Sequence, residues 1–247
     1  MSSGNSVSEE LLLKLRNIHK LGYVKSLRKG DIGVGMTLEH LLGIETNNKK
    51  SPDYQGIEIK ATRTMFGGSR KFTLFSQVPN WDKSNMSADE ILNSFGYIKL
   101  GRLQLYCTVS TISPNPQGLY FIVDDAADTL LNKHITSKTG VIQDVALWEI
   151  SKLRSRLLRK HNETFWVSAS SKIENGTEFF VYESVQYTRK PNAHLLSVLL
   201  DEGIVTMEYT LRHKNSSAKD HGYLFKIKSN KASLLFPNPI EFNLGDI

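Results

Sequence analysis

The sequence predicts a mixed α/β fold on three observations. Stretches in which apolar and polar side chains alternate every second residue follow stretches with helical apolar spacing along the chain. No repeat, low-complexity tract or obvious linker interrupts them. The 247 residues, 40% of them hydrophobic, suffice to bury a substantial core as one elaborated domain or as two.

A first helix is predicted over residues 8–21. Ser8 can cap it, acids follow, Leu11, Leu15 and Ile18 share one face, and Gly22 ends it. Residues 33–43, GVGMTLEHLLG, read as a short helix entered through a glycine turn. The polar, proline-bearing TNNKKSPDYQ is a loop, after which GIEIKATRT and KFTLFSQV alternate as two consecutive strands, expected as a hairpin. Ser87 with Glu90 is a capping-box signature for a helix reaching Phe95, and residues 103–111 and 119–123 read as strands. Residues 148–160 form an amphipathic helix with Ile150, Leu153 and Leu157 inward and Arg154, Arg156, Arg159 and Lys160 elsewhere, a face whose commoner role is to be solvated. Strands are predicted at ETFWVSAS, EFFVYESVQY, IVTMEYTLRH and YLFKIK, with a helix over 192–201 ended by Gly203.

Composition narrows the chemistry. Lysine and arginine exceed the acids by six, which favours polyanionic partners without selecting one. Cys107 is the single cysteine, so intrachain disulfides and multi-cysteine zinc sites are excluded; on LQLYCTVS it reads as a small buried strand residue suited to a reducing compartment. The N-terminus lacks a basic leader followed by an apolar run, and no uncharged apolar stretch reaches membrane-spanning length, so a soluble cytoplasmic protein without a membrane partner is expected.

The sharpest local feature is PDYQGIEIK. On a strand, residues two apart project on the same side about 6 to 7 Å apart, which sends Glu58 and Lys60 out together while Ile57 and Ile59 turn to the core. Phosphodiester hydrolysis needs a positioned water, a cation to offset charge on the phosphate, and help for the departing oxygen. Asp53 and Glu58 would bind Mg2+ through oxygen, with the Ile59 carbonyl as a further ligand. Lys60 would orient or deprotonate the attacking water. Glu39, on the preceding helix, can approach the same cluster. An Asp near a Glu-x-Lys also arises by chance on ordinary strands, so the motif alone does not decide. Replacing these side chains is expected to leave the fold intact, as exposed polar changes do.

Several separated blocks resemble the MvaI/BcnI group of type II restriction endonucleases, whose catalytic core is similar to that of the mismatch-repair nicking enzyme MutH. RKGDIGVGMTLEHLLG followed by SPDYQGIEIK looks like the family's glycine turn, glutamate-bearing helix and catalytic strand. KFTLF, FGYIK, SASSKIEN and KDHGYLFKIK resemble later segments in the same order. The likeness spans residues 10–228, with little to place between 103 and 148.

The resemblance implies a restriction-endonuclease-like PD-(D/E)xK core, a mixed central sheet flanked by helices, with a DNA-recognition lobe forming a cleft. It implies a catalytic lobe at about 1–105 and 145–190 and a recognition lobe at about 106–144 and 191–247, or a single bilobed domain. Asp53, Glu58, Lys60 and Glu39 fall on the family's active-site pattern. His221 and Lys226 would read bases in the major groove, Asp220 would buttress their loop, and Ser76 stands where the BcnI branch has a histidine. Lys226 stands where the MvaI branch has an arginine and lacks its bidentate fork, which leaves the recognised bases open. Arg63, Arg70 and Lys71 beside the catalytic strands, and Arg212, Lys214 and Lys219 beside the recognition loop, are positioned for phosphates. The implied activity is magnesium-dependent cleavage of double-stranded DNA by a monomer at a CC/GG-flanked pentanucleotide, in company with a cognate DNA methyltransferase. The alternatives are a MutH-like nicking endonuclease of repair and an inert sequence-specific DNA-binding protein.

Overall fold

The computed structural model describes residues 6–44, 51–63, 71–214 and 217–246, with the backbone alone at 214 and 217–221. In chain order the elements are α1 (Val7–His19), β1 (Val24–Lys25), α2 (Gly33–Leu41), β2 (Ile57–Thr62), β3 (Lys71–Ser76), α3 (Ala88–Phe95), β4 (Tyr97–Lys99), β5 (Arg102–Val109), β6 (Leu119–Asp124) and β7 (Thr129–Ile135). There follow β8 (Ile142–Glu149), α4 (Ile150–Lys160), β9 (Glu163–Glu174), β10 (Thr177–Arg189), α5 (Leu196–Asp201), β11 (Val205–Lys214), β12 (Ser217–Lys228), α6 (Ala232–Leu235) and β13 (Ile240–Asn243). The predicted mixed α/β class is what the chain adopts.

The chain divides into two compact units. The first comprises Met1–Gly68, Leu158–Pro191 and Phe236–Ile247. Its sheet runs β1-β10-β9-β2, with β13 also on β10; β2 and β9 pair in parallel and the other pairs among the described residues are antiparallel. Leu11, Leu15 and Ile18 of α1 and Val34 and Leu38 of α2 share one apolar cluster with Ile57, Ile59, Phe165, Val167, Phe180, Tyr182 and Val185 of the sheet. The second unit comprises Ser69–Leu157 and Asn192–Leu235. It holds an antiparallel sheet, β3-β12-β11-β5-β4, and a three-stranded antiparallel sheet, β6-β7-β8. Trp148 anchors its core edge-on to Phe121, Tyr223 and Phe225 and donates its indole N–H to the Gln77 carbonyl at 2.8 Å.

Several expectations need correction. β2 and β3 do not form a hairpin, because β2 lies beside β9 in the first unit and β3 beside β12 in the second. The expected lobe bounds also shift: residues 69–105 and 145–157 belong with the second unit, and the chain returns to the first at 236. Ser6, not Ser8, caps α1, through a capping box in which its hydroxyl accepts from the Glu9 amide. Trp148 belongs to β8, so the basic helix begins at Ile150. Ser87 and Glu90 form the anticipated capping box on α3. Cys107 is half-buried on β5, its thiol pushed up to about 12 by burial, which makes it a poor nucleophile.

The second unit carries one buried polar knot. Asn132 is fully buried; its amide nitrogen donates to the Tyr120 and Lys133 carbonyls, and its oxygen accepts from the Tyr209 hydroxyl at 2.6 Å. A buried acceptor left without its donor retains its whole desolvation penalty. Tyr209→Phe is therefore expected to lower stability by about 1–3 kcal/mol in urea unfolding.

Candidate active site

Two adjacent turn residues with positive φ, Gln55 at 42° and Gly56 at 96°, reverse the chain between Tyr54 and Ile57, whose backbones exchange hydrogen bonds of 2.9 and 2.8 Å. This tight turn folds Asp53 back onto β2, where its Oδ2 accepts the Ile59 amide N–H at 3.0 Å. The turn is pinned by the Tyr54 hydroxyl, which donates to Glu10 on α1 at 2.7 Å.

Glu58 lies between Ile57 and Ile59 on β2 and is itself fully buried. The expectation that its substitution is an exposed polar change is therefore wrong, since a carboxylate without water depends on neighbouring cations. Lys60 Nζ stands 2.5 Å from its Oε1 and Lys160 Nζ 2.6 Å from its Oε2. Neither oxygen accepts a hydrogen bond beyond these ionic contacts. Lys160 also lies 3.7 Å from Asp53 Oδ1 and donates to the Ser51 carbonyl at 3.1 Å.

Lys160 went unrecognised as a site residue because it lies a hundred positions after Lys60. Parallel pairing of β2 with β9 sets Ile57 opposite Glu163, which returns the end of α4 to the start of β2. The available signal was its place as the last residue of the basic helix, and one sequence does not reveal which strand that end adjoins.

Glu39 of α2, half-buried, completes the cluster electrostatically. Its carboxyl is raised above the ordinary range by burial and by the charges of Asp53 and Glu58, against the pull of Lys60 and Lys160. Asp53 is raised by burial and by Glu58, while both lysines and the Ile59 N–H draw it down. Burial alone would lower Lys60, but Glu58, Asp53 and Glu39 outweigh it, and the net shift is upward, so Lys60 is a firmly held ammonium. Three carboxylates thus face two ammonium groups, leaving an excess of negative charge.

Among the described residues, no group of three or more His, Cys, Asp or Glu side chains is arranged to hold a metal by itself. Magnesium does not need such a cage, because it is held by one or two carboxylates, keeps waters and takes the rest from substrate phosphate. Asp53 and Glu58 supply two carboxylates of that kind, the Glu58 oxygens being faced by Lys60 and Lys160 in the metal-free protein.

The predicted DNA contacts lie elsewhere. Arg63, in the first unit, forks onto Glu178 at 2.6 and 2.7 Å, donates to the Gly30 carbonyl and stacks over Phe180. In the second unit Lys226 pairs with Glu208 at 2.5 Å, Lys71 donates to Thr206 at 3.1 Å, Ser76 stands opposite Leu224, and Arg212 opposite Gln104. Arg70 and the side chains of Lys214, Lys219, Asp220 and His221 lie outside the described residues.

A profile of the MvaI/BcnI restriction endonuclease family matches residues 12–236. The chain belongs to this family. It is accordingly a type II site-specific deoxyribonuclease, a class that generally needs a divalent metal. Two solved structures are similar to it. The chain matches the restriction endonuclease MvaI–cognate DNA substrate complex with a TM-score of 0.82 and 22% identity, over 98% of this chain and 100% of the other. It matches MvaI in the absence of DNA with a TM-score of 0.57 and 22% identity, over 98% and 99%. A search of curated proteins yields no significant match. Among the described residues, no helix is long and apolar enough to cross a membrane.

The charge balance predicts opposite effects of two substitutions on the metal-free protein. A carboxyl with a raised folded pKa favours folding below its unfolded pKa, and that advantage is lost as pH rises through the folded value. Glu39→Gln is therefore expected to raise the thermal midpoint at pH 7 by about 2–4 °C in chelator, a gain that shrinks on acidification. Lys160→Met, which strips the buried Glu58 of one cation, is expected to lower stability by up to about 3 kcal/mol under the same conditions. Matching signs in the two variants would contradict the assigned electrostatics.

Proposed function

We propose that this enzyme hydrolyses phosphodiester bonds of double-stranded DNA at a short CC/GG-flanked pentanucleotide, with Mg2+ held by Asp53 and Glu58. The observation that carries the reading is the gathering of Asp53, Lys60 and Lys160 around the buried Glu58 carboxylate with negative charge in excess. The complex of MvaI with its cognate DNA supports duplex DNA as the partner. Monomeric action, and a cognate DNA methyltransferase protecting the same sites, complete the proposal.

When bound, magnesium offsets charge on the phosphate oxygens and acidifies a bound water. Asp53 and Glu58 hold it, and the Ile59 carbonyl is a further ligand. Lys60, held charged by three carboxylates, orients the attacking water by hydrogen bonding and counters the charge that builds on the phosphate. It is not the base in this reading. Glu39, whose proton affinity is raised by burial and by Asp53 and Glu58, accepts the water's proton in this reading. The water oxygen bonds to phosphorus as the opposite ester bond breaks, and the departing oxygen takes a proton from solvent to leave as a hydroxyl.

On the recognition side, His221 and Lys226 read base edges, with Asp220 and Ser76 supporting. Arg70, Lys71, Arg212, Lys214 and Lys219 hold phosphates, while Arg63 acts by bracing the catalytic unit through Glu178. Lys226 must exchange Glu208 for its base, so Glu208 acts as a placeholder that makes a wrong base costly.

Incubation of the purified protein with plasmid and magnesium tests the reading: discrete linear fragments are expected, whereas lasting open circles mark a nicking enzyme and intact plasmid an inert binder. Asp53→Ala, Glu58→Ala and Lys60→Ala are each expected to reduce cleavage at least about 100-fold. For Glu58→Ala, circular dichroism must show a folded protein before its rate is compared. Lys226→Ala is expected to cost about 1–3 kcal/mol in discrimination between cognate and single-substituted sites.

A further inference from the structure

The hairpin of β4 and β5 ends in a conflict between sequence and conformation. Lys99 and Arg102 face each other across a two-residue turn, and both turn residues have positive φ, Leu100 at 51° and Gly101 at 71°. Glycine, asparagine and aspartate suit the first of these positions, and a branched apolar residue is an outlier there. Leu100 is nonetheless 94% exposed, and Ile98 beside it 70%. Opposed like charges on neighbouring strands also weaken a hairpin, and neither Lys99 nor Arg102 has an ion-pair partner among the described residues. Nothing in the folding of the second unit calls for these three side chains together.

A basic rim around an exposed apolar tip suits a polyanion with a stacked apolar interior. We propose that the tip of this hairpin is a DNA-binding wedge, in which Lys99 and Arg102 grip phosphates on either side and Leu100 presses into a base step. Minor-groove binders use leucine in this way to unstack and bend duplex DNA. The sheet directs the tip suitably: β5 and β11 are antiparallel with Gln104 opposite Arg212, so the hairpin emerges at the end of the sheet where β11 carries Arg212. The inference rests on the reading of the chain as an enzyme of duplex DNA and adds a contact that distorts the duplex without reading base edges.

The test uses the whole enzyme with calcium in place of magnesium and a short duplex taken from a mapped cleavage site, bearing 2-aminopurine at successive positions. Leu100→Asn suits the turn better, so its thermal midpoint is expected to equal or exceed that of the wild type, while affinity for the duplex falls about tenfold and the fluorescence rise at one step disappears. Lys99→Gln with Arg102→Gln is expected to reduce the slope of log affinity against log salt by about 1.8. Unaltered affinity and fluorescence in the first variant, or an unaltered salt slope in the second, overturns the wedge. Self-association of the wild type that Leu100→Asn abolishes, seen by sedimentation without DNA, also overturns it and makes the tip an interface between copies. Magnesium-dependent plasmid cleavage by the wild type, run alongside, separates the readings. Cleavage with unchanged variants ends only the wedge, while absence of cleavage ends the nuclease reading.

Discussion

The first unit is organised around one carboxylate removed from water. Glu58 has no solvent around its carboxylate, and the groups that face it instead are two ammoniums, 2.5 and 2.6 Å away. That pairing accounts for much of the surrounding architecture. β2 must place Lys60 two residues on, α4 must end where Lys160 reaches back, and parallel pairing with β9 must bring the two together. The Gln55–Gly56 turn then adds a second carboxylate to a region already short of positive charge. Packing of α1 and α2 against the sheet supplies the stability against which this electrostatic arrangement is maintained.

The pattern of a strand with acid and base two apart was legible because side-chain direction on a strand is fixed by its period. Glu58 and Lys60 could be nominated without coordinates for that reason, whereas Asp53 and Glu39 were nominated from the surrounding motif and its resemblance to the family's active-site pattern. Burial was not legible. Alternation suggests one wet face, but β2 has its Glu58 side covered by protein, so the polar positions point into an ion-pair network and not into water. Lys160 was hidden for a different reason: proximity created by strand pairing leaves no trace in local spacing.

Fold legibility divides along similar lines. Helices with strong caps and apolar stripes, such as α1 and α3, were readable to within a residue or two; β9, β10 and β11 followed their alternation, β12 starts six residues before the predicted YLFKIK, and β13 was not read. The partnership of β2 and β3 was misread because short connections favour hairpins, whereas the chain passes at this point from one unit into the other. β7 and β8 were not identified; Asn132 and Lys133 break the apolar run of β7, and Gln143 and Asp144 that of β8, and the buried Asn132 makes sense only with Tyr209 in place.

The first unit's assembly from three separated stretches also bears on synthesis. A ribosome that has just completed the segment with Asp53, Glu58 and Lys60 must add a hundred more residues before Lys160 exists, an interval of about 5 to 20 seconds at ordinary elongation rates. Until then the nascent chain lacks β9, the strand that β2 pairs with, and exposes acidic groups without their second counter-charge. The carboxylates at 53 and 58 therefore gain their full set of counter-charges only when β9 and the end of α4 have been made, about two thirds of the way along the chain.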